Sequence, residues 1–193
     1  FMKAVINGLA PDRGLYFPQE KVILSKEFIE SIKNIDDVEI CYEVMNKYVG
    51  DEIPKQKLIE IIKNTISFKI PLKKIEDSTY SLELFHGPTL AFKDIGAKFM
   101  AQCLDYFKSS YSSKKITVLV ATSGDTGGAV AKGFSGTKDI EVCILYPKGK
   151  ISKVQEKQIT TNGDYVKAIE VEGDFDKCQS MVKKAFNLSL IHI

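Results

Sequence analysis

The residues best suited to chemistry lie in short polar loops between apolar runs. Residues 122–128 read TSGDTGG and follow the β-branched run ITVLVA, directly before an amphipathic stretch. Glycines let the backbone come close to a ligand, and the free N–H groups at a helix start favour an anion such as a carboxylate or a phosphate. The loop matches neither the GxGxxG fingerprint nor a P-loop. It therefore indicates either an anion site or a capped turn whose glycines serve packing.

A second loop of this kind, residues 86–94, reads HGPTLAFKD and places Lys93 beside Phe92 at a helix start. A lysine becomes a nucleophile or a Schiff-base former when desolvation or nearby positive potential favours its neutral form. The alternative is a solvated surface pair of Lys93 with Asp94. His86 fits an acid/base role, but we favour a structural hydrogen bond to the loop backbone.

A basic turn follows the apolar run EVCILY. Lys148, Lys150 and Ser152 present two ammonium groups and a hydroxyl at a helix start. This set suits a phosphate, although a solvated basic turn would have the same composition. Gln155 and Gln158 follow one turn later and are weaker candidates, because glutamine is an ordinary residue of exposed helices.

The elements that position these loops can be read from hydrophobic spacing. Apolar residues three and four apart predict helices over residues 26–49 and 51–67. From Tyr80, β-branched runs alternate with amphipathic stretches, which predicts an α/β fold with a parallel sheet and helices on both faces. We expect an N-terminal helical and extended region, 1–78, and an α/β portion, 79–193. The predicted strands are 80–85, 116–122, 141–146 and 165–172, and the predicted helices are 93–108, 126–135, 151–162 and 174–187.

Composition narrows the class of protein. The chain has 193 residues, 44% of them apolar and 27% charged, with a formal net charge of +2. These values argue against a disordered chain or a dedicated nucleic-acid binder. No apolar run approaches the roughly 18 residues that span a bilayer, and the first residues do not resemble a secretion signal, so we expect a cytoplasmic protein. Four scattered cysteines and two histidines indicate buried reduced thiols and no metal site.

Taken together, the motifs resemble the threonine synthase family. HGPTLAFKD is followed about thirty residues later by TSGDTGGAVAKG and then by LYPKGKISKVQEKQ, in the family's order and spacing, and NGLAPDRGLYFP resembles a further signature. Arg13 stands where the family more often has glycine, which affects only the local turn. The resemblance implies a tryptophan-synthase-β-like fold (fold type II) and the cofactor pyridoxal 5′-phosphate (PLP).

The resemblance also implies roles for individual residues. Lys93, beside Phe92, would form the internal aldimine with PLP, and Asp125 falls where related enzymes place an asparagine against the cofactor's 3-oxygen. The substrate would be the small molecule O-phospho-L-homoserine, converted with water to L-threonine and phosphate. Its carboxylate would meet the loop 122–128, and its phosphate would meet the turn 148–152. The implied substrate residues are Thr122, Ser123, Gly124, Thr126, Lys148, Lys150 and Ser152.

Family members are about twice as long as this chain, and a glycine-rich loop for the PLP phosphate is missing from it. We therefore expect a chain that is incomplete at its C-terminus and inactive alone. Two alternatives stay open: another β-family PLP lyase, such as a serine/threonine dehydratase, and a non-catalytic fragment. The sequence indicates neither a nucleic-acid nor a membrane partner, and it leaves the oligomeric state undetermined.

Overall fold

The computed structural model describes residues 1–12, 14–111 and 115–186, so Arg13, His192 and the last residue of the helix expected over 174–187 lie outside it. Contacts divide the chain into two units, Phe1–Ser67 and Phe68–Ile193. The boundary precedes the expected one at 78/79, because residues 72–76 form a strand that pairs with the next one. The assignment of domains at residue 79 stays a prediction.

The regular secondary structure of the first unit consists of helices. Its hydrophobic core is formed by aliphatic side chains that are almost fully buried, among them Val49, Ile53, Leu58 and Ile61. The helices are α1 (Met2–Asn7), α2 (Lys26–Ser31), α3 (Asp37–Val49) and α4 (Lys55–Thr65), with short 3-10 turns at Ile32–Asn34 and Gly50–Glu52.

A cap divides the first expected helix, and a proline delays the start of the second. Asp36 has extended backbone angles and accepts hydrogen bonds from the backbone N–H groups of Val38 and Glu39, so a new helix, α3, begins after it. The expectation of one continuous helix over 26–49 was therefore wrong. Pro54 precedes the first residue of α4 with extended backbone angles, and the helix expected over 51–67 starts only at Lys55.

The second unit opens with an exposed hairpin. Strands β1 (Leu72–Glu76) and β2 (Thr79–Leu82) pair in antiparallel orientation, and the turn between them places Ser78 at a positive φ of 67°. The expectation of a parallel strand over 80–85 was wrong. The residues of both strands are exposed or half-buried, as suits a two-stranded ribbon rather than the covered strands of a parallel sheet.

A three-stranded parallel sheet in the order β3-β4-β5 forms the centre of the second unit. This confirms the α/β fold class. The strands are β3 (Ile116–Ala121), β4 (Ile140–Pro147) and β5 (Val166–Val171), and the helices between and beside them are α5 (Lys93–Tyr111), α6 (Asp125–Gly133), α7 (Lys153–Thr160) and α8 (Phe175–Phe186).

Helices cover both faces of this sheet. Leu145 packs with Cys178 and Val182 of α8 on one face. Val142 and Ile144 point to the opposite face, because side chains alternate along a strand, and both are fully buried where α6 and α7 pack. Within the described ranges, none of the helices is long and apolar enough to cross a membrane.

Cys103 of α5 is fully buried, and burial raises the pKa of its thiol to about 12. We expect it to resist thiol reagents in the folded protein and to react after unfolding in urea. Because the folded state favours the neutral thiol, the raised pKa of Cys103 adds to the free energy of unfolding. This contribution is fully present below the ordinary thiol pKa of about 8.5 and is lost as the pH rises towards 12. Urea unfolding of wild type and Cys103→Ala across this range checks the sign: the wild type must lose more stability than the variant.

Candidate active site

A cavity of about 360 Å³ lies beside the first turns of α5 and α6. Lys93 and Phe92 line it at the start of α5, and Thr126 lines it at the start of α6. The remaining wall is apolar and includes Ala97 and Met100. The fold therefore brings residues of two sequence motifs, HGPTLAFKD and TSGDTGG, to one cavity.

Lys93 is the first residue of α5 and is half-buried. Its Nζ lies 4.7 Å from the centroid of the Phe92 ring, in a cation–π contact. Phe92 itself is 61% exposed, so this edge of the cavity is open. The amine of Lys93 is thus accessible to a ligand and has an aromatic surface at its side.

The loop before Lys93 is organised by a buried carboxylate. Asp94 is only 4% exposed, and its two oxygens accept hydrogen bonds from the Thr89 backbone N–H (2.9 Å) and the Thr89 hydroxyl (2.5 Å). Gly87 closes the same turn: a Cβ there would lie 2.5 Å from Asp94 Oδ2 and 2.9 Å from the ring of Phe68. Asp94 is therefore an internal support of the loop and not a surface partner of Lys93.

In the loop 122–128, the Thr122 hydroxyl oxygen accepts hydrogen bonds from the backbone N–H groups of Gly124 and Gly127, both at 2.9 Å. Thr122 is 1% exposed and faces the loop itself. Gly124 has a φ of 138°, which only glycine adopts easily. Ser123 is exposed, and Thr126 is half-buried in the cavity wall. Thr122 thus shapes the turn, and its contact with a substrate stays a prediction.

Two backbone donors remain at the start of α6. The N–H groups of Asp125 and Thr126 have no hydrogen-bond partner within the described ranges, whereas that of Gly127 is satisfied by Thr122. Unsatisfied N–H groups together with the positive end of the helix dipole favour an anionic ligand group.

The basic turn lies before α7. Ser152 caps this helix, since its Oγ accepts from the Gln155 N–H at 3.2 Å. Lys148 forms an ion pair with Glu172 at 2.5 Å, and the ammonium group of Lys150 is exposed without a partner in the described part of the chain. Of the two lysines expected to bind the phosphate, Lys150 is therefore the one whose charge is available.

Gln155 and Gln158 connect α7 to both loops. The Gln155 side chain donates to Asp125 Oδ1 at 2.8 Å, and Gln158 donates to the carbonyl oxygen of Thr89 at 3.2 Å. The first bond spans 30 residues of sequence and the second spans 69. The two residues that the sequence marked as weaker candidates thus each contact one of the two motif loops.

His86 stands apart from these contacts. Its Nε2 lies 2.7 Å from Glu83 Oε2, and its ring lies 4.9 Å from that of Phe85. The partner is thus a side-chain carboxylate and not the loop backbone. This contact supports the structural interpretation, and an acid/base role for His86 has no geometric support in the described residues.

The chain is similar to known proteins along nearly its whole length. Residues 1–66 match the family model described as threonine synthase N terminus. Threonine synthase of Haemophilus influenzae is 46% identical over 97% of this chain and 43% of the relative. The crystal structure of threonine synthase from Escherichia coli superposes with a TM-score of 0.89 at 42% identity, over 98% of this chain and 44% of the other. A PLP-bound threonine synthase from Brucella melitensis gives a TM-score of 0.88 at 37% identity, over 98% and 42%.

This chain matches the N-terminal portion of threonine synthases. It spans less than half the length of these relatives. The match confirms the resemblance inferred from the motifs and the fold class expected for the sheet.

Four residues that support the threonine synthase motifs were missed or underrated from the sequence: Asp94, Thr89, Gln155 and Gln158. A carboxylate in the first turn of a helix, as in Asp94, is a detectable signal, because acidic residues favour this position. No local pattern indicates the glutamine contacts, since their partners lie far away in the sequence.

Proposed function

We propose that this chain is part of a threonine synthase, a carbon–oxygen lyase acting on phosphates. The reaction converts O-phospho-L-homoserine and water to L-threonine and phosphate. The observation that carries the proposal is the accessible amine of Lys93 in an apolar cavity at the starts of α5 and α6, in a chain with the similarities above. The N–H groups of Asp125 and Thr126 and the basic turn before α7 add two places for anionic groups.

The chemistry of the cavity suits PLP. Lys93 supplies the primary amine that an aldehyde requires, and the apolar wall with Phe92 at its edge suits an aromatic ring. Lys93 would hold the cofactor covalently, with Phe92 and Asp125 beside it. When bound, PLP accepts the electron pair that remains after a proton leaves the substrate's α-carbon.

The residues of the chain would then bind and orient the substrate. Thr126, Ser123 and the backbone at Gly124 would meet its carboxylate, with Thr122 shaping the turn beneath. Lys150 and Ser152 would meet its phosphate, and Lys148 could join them by leaving Glu172. The Nζ of Lys93, once free, would take the α-proton, since it is the basic atom at the cavity.

The proposed activity requires a longer protein than these 193 residues. Because the chain spans less than half of its relatives' length, we propose that the 193 residues alone have no turnover. The proposed location is the cytoplasm, and the proposed partner is the phosphorylated amino acid rather than a nucleic acid or a membrane.

Two measurements on the full-length protein test the function. Borohydride reduction with PLP, followed by peptide mapping, must place the adduct on Lys93. Phosphate release from O-phospho-L-homoserine must accompany threonine formation. An adduct on Lys98, or deamination of serine with no reaction of the phosphorylated substrate, contradicts the proposal.

Lys150→Ala tests the phosphate site. Loss of a charge-assisted contact of about 1.5–3 kcal/mol predicts a KM for the phosphorylated substrate raised by about tenfold or more, with PLP affinity nearly unchanged. Lys157→Ala, an exposed lysine later on α7, is the matched control and must leave both values unchanged. An equal loss of PLP affinity in Lys150→Ala would move this residue to the cofactor phosphate.

A further inference from the structure

Gln155 makes three hydrogen bonds between two helix starts. Its Oε1 accepts from the Ser152 N–H at 2.9 Å, and its backbone N–H donates to Ser152 Oγ, which together form a capping box for α7. Its Nε2 donates to Asp125 Oδ1 at 2.8 Å. The same amide lies against Gly124, where an added Cβ would collide with it. The side chain therefore joins the starts of α6 and α7.

The chemistry of its partners fixes the orientation of this amide. Ser152 N–H can only donate and the Asp125 carboxylate can only accept, so the oxygen must face Ser152 and the nitrogen must face Asp125. Asp125 is exposed, and in the described part of the chain Gln155 is the one hydrogen-bond partner of its side chain. The contact therefore holds one carboxylate oxygen and leaves the other, Oδ2, to accept from a ligand.

We propose that Gln155 is a positioning residue that acts through Asp125, fixing this carboxylate toward the cofactor while it caps the helix that follows the basic turn. The proposal rests on the proposed function, in which Asp125 lies beside PLP. Glutamine is the side chain that does both: leucine could form neither hydrogen bond, and glutamate could keep the cap but would set a second carboxylate against Asp125.

Gln155→Glu is the decisive variant, because it keeps the shape and the acceptor for Ser152 N–H while removing the donor to Asp125. In the full-length protein we expect its Kd for PLP to rise about tenfold, which corresponds to about 1.4 kcal/mol, with a shifted absorption band of the bound cofactor. In the Asp125→Asn background the asparagine amide can donate to the introduced glutamate, so the same change should alter the Kd by less than about threefold.

Gln179→Glu is the matched control, since Gln179 is exposed on α8, and it must behave as wild type. The proposal is overturned if Gln155→Glu leaves the Kd and the absorption band unchanged, or if it weakens PLP binding equally in both backgrounds. Urea unfolding of the four proteins of the cycle without PLP measures the Gln155–Asp125 coupling itself. The proposal is also overturned if the two residues are coupled in unfolding free energy while PLP affinity is unchanged. It is overturned as well if the unfolding free energies show no coupling.

A different experimental result would contradict the proposed function. If borohydride fixes no PLP on Lys93 of the wild type, the cofactor assignment is wrong, and the positioning role toward that cofactor falls with it. If the adduct forms on Lys93 and the cycle shows no rescue by Asp125→Asn, the function stands and only the role of Gln155 is rejected.

Discussion

Replacing Lys93 with alanine is expected to abolish turnover in the full-length protein, with a loss of at least about a thousandfold. Positioned general bases alone contribute about 10²–10⁴-fold, and this residue is proposed to hold the cofactor as well. The variant should fold normally, because Lys93 is the first residue of α5 and its side chain rests on the exposed Phe92 ring. Phosphate release and threonine formation measure the loss, and the borohydride adduct must disappear with it.

Lys98→Ala is the control for this result. Lys98 lies five residues later on α5, is half-buried as Lys93 is, and its Nζ lies 3.5 Å from the Gly133 carbonyl oxygen. The variant should keep nearly full activity and the adduct. Turnover within about tenfold of wild type in Lys93→Ala would show that another residue carries the chemistry, since a positioned base contributes more than this.

Asp94→Ala is expected to cost about 3 kcal/mol of unfolding free energy and to slow the reaction of Lys93 with PLP. The substitution leaves the buried backbone N–H and hydroxyl of Thr89 without an acceptor, because both donate to this carboxylate. Asp94→Asn should restore most of the loss, because its amide can accept one bond and donate the other. Urea unfolding gives the stability, and the rate of adduct formation gives the effect on Lys93.

Asp105→Ala is the comparison on the same helix. Its half-buried carboxylate accepts from Lys108 at 2.8 Å, an ion pair near the surface worth about 1 kcal/mol or less. If Asp94→Ala is no more destabilising than Asp105→Ala, Asp94 is not a support of the loop. If the loss of stability is found without a slower reaction of Lys93, the loop does not position the lysine.

The sheet of the second unit could be predicted because its central strand, β4, is covered on both faces. Val142 and Ile144 on one side and Leu145 on the other produce an uninterrupted apolar run, which is typical of a covered strand. The run YSLELF was misleading for a related reason. Its apolar residues resemble a covered strand, yet Tyr80 and Leu82 remain more than half exposed in the hairpin.

Part of the candidate site could be predicted from the sequence, since local residue types identify a strand-to-helix loop. Lys93 and Thr126 can be identified in this way, because each lies within or directly after a loop that contains glycine and hydroxyl residues. The supports could not be found by the same means. Asp94 resembles a surface partner of Lys93 until its burial is known, and Gln155 meets a carboxylate 30 residues away.

The close approach of α5 and α6 has a consequence for reshaping the cavity. A Cβ on Gly133 would lie 3.0 Å from the backbone carbonyl carbon of Ala97, so the two helices meet backbone to backbone, and Ala97 also lines the cavity. Enlarging either residue would push the helices apart. Met100 and Val130 line the same wall, and of the two only Met100 has an exposed side chain, at 38% against 5% for Val130. A library aimed at bulkier ligands should therefore vary Met100 and keep Ala97 and Gly133 constant.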